Sequence, residues 1–153
     1  MLENKRRRIA SEALEAAFDD PVPEDWQKDV NSHEFIRDWR GSLELLTHRD
    51  LKIALPHILN DILNTVFEDD GSENVDRVTS FLSRDPHDPY FSERFDNRFK
   101  DYSARQAEAI YLWLLAIADF YRELYDLTNA EDALPIEDAL KYWHTRAQAG
   151  GLG

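Results

Sequence analysis

Ser103-Ala104-Arg105-Gln106 opens the segment that most limits what this chain can become. A serine followed three residues later by a glutamine is a capping box. The hydroxyl accepts from the glutamine's amide, and the glutamine side chain reaches back to the amide of the serine. Behind it runs Ile110-Tyr111-Leu112-Trp113-Leu114-Leu115-Ala116-Ile117-Ala118, apolar at every position. A helix that is apolar all round has no face to offer water, so other elements must surround it. A membrane span needs about 20 such residues, so this run marks the centre of a helical core. The helix is expected to extend from Ala104 to about Leu127.

The neighbouring segments also read as helices. Ile9, Ala10, Ala13, Leu14, Ala17 and Phe18 recur at helical spacing, which predicts an amphipathic helix over 3–18 ended by Asp19-Asp20-Pro21. The proline-bearing loop that follows carries Trp26, expected to fold back on the core. Ser32 caps a short helix holding Phe35, Ile36 and Trp39, with Gly41 as its stop. Thr47-His48-Arg49-Asp50 forms a second capping box, with Asp50 in place of the usual Glu or Gln. An apolar stripe then runs from Leu51 to Phe67 around Pro56. Proline cannot continue the helical hydrogen-bond ladder. A break is expected, with Pro56 opening a second helix at its first position; a kink is the alternative.

Glu68-Asp69-Asp70-Gly71 is a turn, and Ser72 caps a helix bearing Val75, Val78, Phe81 and Leu82. Pro86 and Pro89 bracket an irregular stretch. Phe91, Phe95 and Phe99 repeat every four residues, predicting three rings on one helix face. Pro135 is placed at the first position of a last helix with Ile136, Ala139, Leu140 and Trp143. No segment alternates with period two between turn signals, so no strand is expected. The expected fold is all-α, a single irregular bundle of six to eight helices around the central helix at 104–127. Residues 1–149 would form one domain and 150–153 a flexible tail. The core is expected to contain Leu14, Phe18, Phe35, Trp39, Leu55, Leu59, Leu63, Phe81, Leu82, Phe95, Phe99, Ile110, Leu114 and Ile117.

Charge narrows function by exclusion. Among 153 residues, 31 acidic side chains face 18 basic ones, a formal charge of −13. Nucleic-acid backbones and anionic membrane surfaces both require a cationic face, so neither is an expected partner. The chain has no cysteine, which excludes disulfides, thiolate metal sites and cysteine nucleophiles. Its basic cluster Lys5-Arg6-Arg7-Arg8 leads into Ile9-Ala10-Ser11-Glu12-Ala13-Leu14-Glu15, with glutamates where a signal peptide would be apolar. A cytoplasmic location is therefore expected. Five glycines, none at a Walker or dinucleotide spacing, leave no phosphate cradle and no cofactor.

Two constellations invite a catalytic reading. His57 and Asp61 lie one helical turn apart and could begin a metal site, with a third ligand from His48, Asp50 or another helix. Two polar residues opposite an apolar stripe is the favoured reading. His87-Asp88 sits between two prolines, where a rigid loop could hold an acid–base pair. Turns beside helix ends use the same residue types for geometry alone. Ser32, Ser72 and Ser103 stand at cap positions with no nucleophile elbow around them. No catalytic, cofactor-binding or metal residue is assigned.

The carboxylates cluster at Asp19, Asp20, Glu24 and Asp25; at Glu68, Asp69, Asp70, Glu73 and Asp76; and at Glu131, Asp132, Glu137 and Asp138. A solvated acidic surface is one reading, and a face steering toward a basic partner protein is the other. Leu55-Pro56-His57-Ile58-Leu59 and Phe99-Lys100-Asp101-Tyr102-Ser103-Ala104-Arg105-Gln106-Ala107-Glu108-Ala109-Ile110 resemble motifs of a family of small all-helical bacterial proteins of unknown function. That family carries a Leu-Pro-x-x-Leu helix and a Phe…Ser-x-x-Gln-x-x-Ala-Ile helix. The resemblance implies an immunity-type role by analogy and transfers no functional residue. The leading expectation is a non-enzymatic protein that binds a basic partner protein. A metal-dependent or acid–base hydrolase and a structural homodimer are the alternatives.

Overall fold

The computed structural model describes residues 2–19, 24, 46–65, 72–85, 87–124 and 136–151. These hold six helices and no strand: α1 (Leu2–Ala17), α2 (His48–Thr65), α3 (Ser72–Phe81), α4 (Pro89–Phe99), α5 (Ala104–Leu124) and α6 (Glu137–Gly151). The architecture is an all-α bundle built on α5. The expectations for Trp26, the Ser32 helix with Phe35 and Trp39, the Glu68–Gly71 turn and Pro135 fall outside the described residues.

The capping box forms in both directions. Gln106 N donates to Ser103 Oγ at 3.1 Å, and Ser103 N donates to Gln106 Oε1 at 2.9 Å. Beyond it Ile110, Trp113, Leu114, Ile117 and Tyr121 are fully enclosed. Tyr111, Leu112 and Leu115 are only half-buried, so one strip of the helix stays near solvent. Over that strip the His144 ring lies 4.7 Å from the Tyr111 ring.

The most extensive helix pairings are α5 with α1 and α5 with α6. Buried alanines on all three helices, such as Ala10, Ala107, Ala118 and Ala139, have little side chain to hold the backbones apart. Both partners run antiparallel to α5. At one end of α1 Gln106 Nε2 donates to Ala17 O, and at the other Arg6 meets Asp119 at 2.9 Å. On α6, Arg146 near the C-terminal end reaches Tyr102 O at 3.0 Å, just ahead of α5.

Pro56 does not break α2. The helix continues from His48 to Thr65 with Pro56 inside it. An interior proline costs about 3 kcal/mol, but Leu51, Ala54, Leu55, Ile58, Leu59, Ile62 and Leu63 are buried on both sides of it. At roughly 1.5–3 kcal/mol per large side chain, that burial outweighs one lost hydrogen bond. The Trp113 indole also ties α2 to α5, donating to Leu59 O at 2.9 Å.

The three phenylalanines of α4 do not share one environment. Phe95 and Phe99 are buried, while Phe91 is 58% exposed. Each four-residue step overshoots one helical turn by about 40°, so the first ring of the series leaves the face of the third. Phe99 is the hub of an aromatic layer, with ring centroids of Phe81, Phe95, Tyr102 and Trp143 at 5.8, 4.9, 5.1 and 5.1 Å. Every described member of the expected core is buried. At the far end α6 continues through Gly151, two residues into the stretch expected as a tail.

Candidate functional surface

The possible metal site on α2 does not assemble from its expected members. His48, first in the helix, is exposed, whereas His57 and Asp61 are half-buried. Nine residues separate the two histidines, about two and a half turns, which sets them on opposite sides of the helix. Asp50 shares the side of His57 but sits two turns away, about 10 Å along the axis. Burial pushes the His57 imidazole below its ordinary value, favouring the neutral ring. Among the described residues no three His, Asp or Glu side chains are grouped to hold a metal ion.

His87 and Asp88 serve the backbone. Asp88 is the N-cap of α4, with φ −119° and ψ 102°, and its Oδ1 accepts from Tyr90 N at 3.1 Å and Phe91 N at 3.4 Å. The amide of His87 is taken by Asp85 Oδ1 at 3.0 Å, an Asx turn that aims the chain into the cap. The His87 side chain is exposed. Ser103 is a cap as expected, and Thr47 Oγ1 accepts from Asp50 N at 3.1 Å as the N-cap of α2. The Ser72 side chain lies outside the described residues.

Nothing local in the sequence signals how the cations are used. Lys5-Arg6-Arg7-Arg8 reads as one basic patch, but two of its members turn into the fold. Arg6 pairs with Asp119, and Arg7 donates to Leu63 O at 3.4 Å. Lys52 donates to Asp101 O at 3.2 Å and lies over the Tyr102 ring. Arg146 donates to Phe99 O and Tyr102 O and covers the Trp143 ring. Carbonyls and ring faces thus engage Lys52 and Arg146, and among the described residues neither forms a salt bridge, although the Arg146 charge helps lower the pKa of Asp96. Arg84 and Asp96 do pair, through parallel bonds of 2.8 and 2.9 Å that raise the pKa of the guanidinium and lower that of the carboxyl.

Many of the described carboxylates face outward. Glu12, Glu15, Asp19, Glu24, Glu137 and Asp138 are all exposed, spanning the described parts of two of the expected acidic clusters. The other large exposed feature is aromatic. Tyr90 and Phe91 are 61% and 58% exposed, their rings in edge contact, with Arg94 bonded to the Tyr90 hydroxyl at 2.9 Å. The Asp88 cap fixes this pair in the first turn of α4, where Phe91 has rotated off the core. No described helix is long and apolar enough to cross a membrane. No protein-family model matches the chain, and no curated protein or solved structure matches it either.

Proposed function

We propose that this chain is a non-catalytic, cytoplasmic protein that binds a basic partner protein through its acidic surface. The observation that carries the reading is the division of charge. Lys52 and Arg146 turn to backbone carbonyls and ring faces with no salt bridge among the described residues, while Glu12, Glu15, Asp19, Glu24, Glu137 and Asp138 stand exposed on a chain with net charge −13. Such a field speeds encounter with a cationic surface and rejects anionic ones. The candidate acid–base pair His87 and Asp88 supports the same reading, since the Asp88 carboxylate is committed to capping α4. An immunity-type role, in which the chain occludes a basic toxin, is the specific form we favour.

The test begins with the immobilised protein in an extract of its own cells at low and high salt. A retained partner is then purified and its affinity measured against a variant with Glu137→Gln and Asp138→Asn. The reading expects a partner with a basic face, released by salt and weakened by the variant. A partner without one, or affinity indifferent to salt, would count against it, as would no retention at low salt.

A further inference from the structure

The solvent face of α1 is ordered in a way that a lone helix would not choose. Lys5, Arg8, Ile9, Glu12, Glu15 and Ala16 are exposed and fall on one side of the helix, within an arc of about 120°. The two cations occupy the N-terminal half of that face and the two carboxylates the C-terminal half. Both halves oppose the helix macrodipole, which favours anions at the N-terminus and cations at the C-terminus. Among the described residues none of these four charges has an ion-pair partner within the chain. Arg8 and Glu12, at i and i+4, stand in the less favourable order for pairing along the helix. Ile9, 39% exposed, lies between the two halves.

A face that is basic at one end and acidic at the other is complementary to itself when turned end over end. We propose that α1 presents this face to a second copy of the chain, running antiparallel about a two-fold axis near residues 10 and 11. Lys5 and Arg8 of each copy then lie over Glu12 and Glu15 of the other, with the Ile9 side chains close to the axis. This arrangement is isologous, as two-fold pairing demands. Antiparallel apposition also opposes the two helix dipoles favourably. Two copies with charge −13 repel as wholes, but charges farther apart than about 8 Å are screened at physiological ionic strength, and contact pairs are not. One face of a 16-residue helix is small beside the roughly 1,600 Å² of a standard interface, so the dimer is concentration-dependent.

Sedimentation equilibrium on the full chain tests this, from micromolar concentrations up to about 1 mM. The expected result is a monomer–dimer equilibrium. Lys5→Glu with Arg8→Glu should weaken it at least tenfold, with helicity by circular dichroism unchanged. Adding Glu12→Lys and Glu15→Lys to the same chain reverses both halves of the face and should restore dimerisation. A chain that stays monomeric throughout would overturn the proposal. So would a dimer indifferent to the first pair of reversals, or one that the four reversals together fail to restore. A dimer lost instead in Tyr90→Ser with Phe91→Ser would place the contact on the exposed aromatic pair and overturn the α1 register.

Discussion

Gln106 Nε2 donates to the carbonyl oxygen of Ala17 at 3.2 Å, across 89 residues of chain. Gln106 also accepts from Ser103 N. One side chain therefore closes the start of α5 and satisfies one of the last carbonyls of α1, groups that otherwise have no intrahelical partner.

This double duty separates Gln106 from an ordinary cap. Ser103→Ala removes the cap alone and should cost ~1 kcal/mol. Gln106→Ala also strands a buried carbonyl and should cost ~2–3 kcal/mol. Gln106→Glu keeps the acceptor for Ser103 N but turns a carboxylate oxygen toward Ala17 O, so it should not rescue. Urea denaturation of the three variants checks the order, and equal losses in Ser103→Ala and Gln106→Ala would refute the second role.

Arg146 does for α4 what Gln106 does for α1. It donates to Phe99 O at the helix end and to Tyr102 O just beyond. Arg146→Met keeps most of the stem and loses both carbonyl bonds and a weaker one to the Tyr142 hydroxyl, for an expected cost of ~1.5–3 kcal/mol. At this chain length that is a fall in Tm of roughly 4–10 °C. Arg146→Lys should recover only part, because both carbonyls are reached from Nη2, one bond farther out than a lysine ammonium, and the Nη1 contact with the Tyr142 hydroxyl is lost. Full recovery by lysine, read by thermal denaturation, would show that charge alone matters.

Two phenylalanines eight residues apart on α4 should behave as unlike residues. Phe99→Ala empties the hub of the aromatic layer and should cost ~3–5 kcal/mol. Phe91→Ala removes an exposed ring and should stay within ~0.5 kcal/mol. Comparable losses in both, by reversible denaturation, would mean that Phe91 is covered in solution.

Stability should depend on pH through His57. Burial lowers its pKa in the folded chain, so the unfolded chain takes up this proton first as pH falls. The contribution is complete above the unfolded value of about 6.5 and declines below it until the folded value is reached. The Asp96 carboxyl is also held below its ordinary value, by the hydrogen bond from Arg84, so its contribution is complete above the ordinary carboxylate range and is lost only as pH falls below that range. Urea midpoints at pH 7.5 and 5.5 should therefore fall more in the parent chain than in His57→Gln. Parallel shifts in the two proteins would remove His57 from the account.

Local signals in the sequence carried further than long-range ones. Ser103 and Gln106 are three residues apart and announce their own geometry, and the helical spacing around Leu14, Leu59 and Leu114 needs no knowledge of neighbours to mark a buried face. Pro56 misleads for the opposite reason. Its local preference is to end a helix, and only the packing of residues far along the chain outweighs it. Phe91 is misplaced by treating a four-residue step as a full turn, an error that accumulates to about 80° over two steps. The destinations of Arg6 and Arg146 have no local signature, because Asp119 and Phe99 lie 113 and 47 residues away. The charge pattern on α1 was present in the residues, but its one-sidedness needed the helix and its exposed face to be seen.

The Arg146 contacts also set an order of events during synthesis. Phe99 O is made long before its guanidinium partner, which emerges 47 residues later. At a ribosomal rate of ~5–20 residues per second, the end of α4 waits roughly 2–10 s for it. Ala17 waits longer for Gln106, 89 residues downstream. A nascent chain halted after Gln106 and before Arg146 has α1 closed at its end, while Phe99 O holds only the local bond from Tyr102 N. Its resistance to protease should rise in two steps, as Gln106 and then Arg146 leave the ribosome.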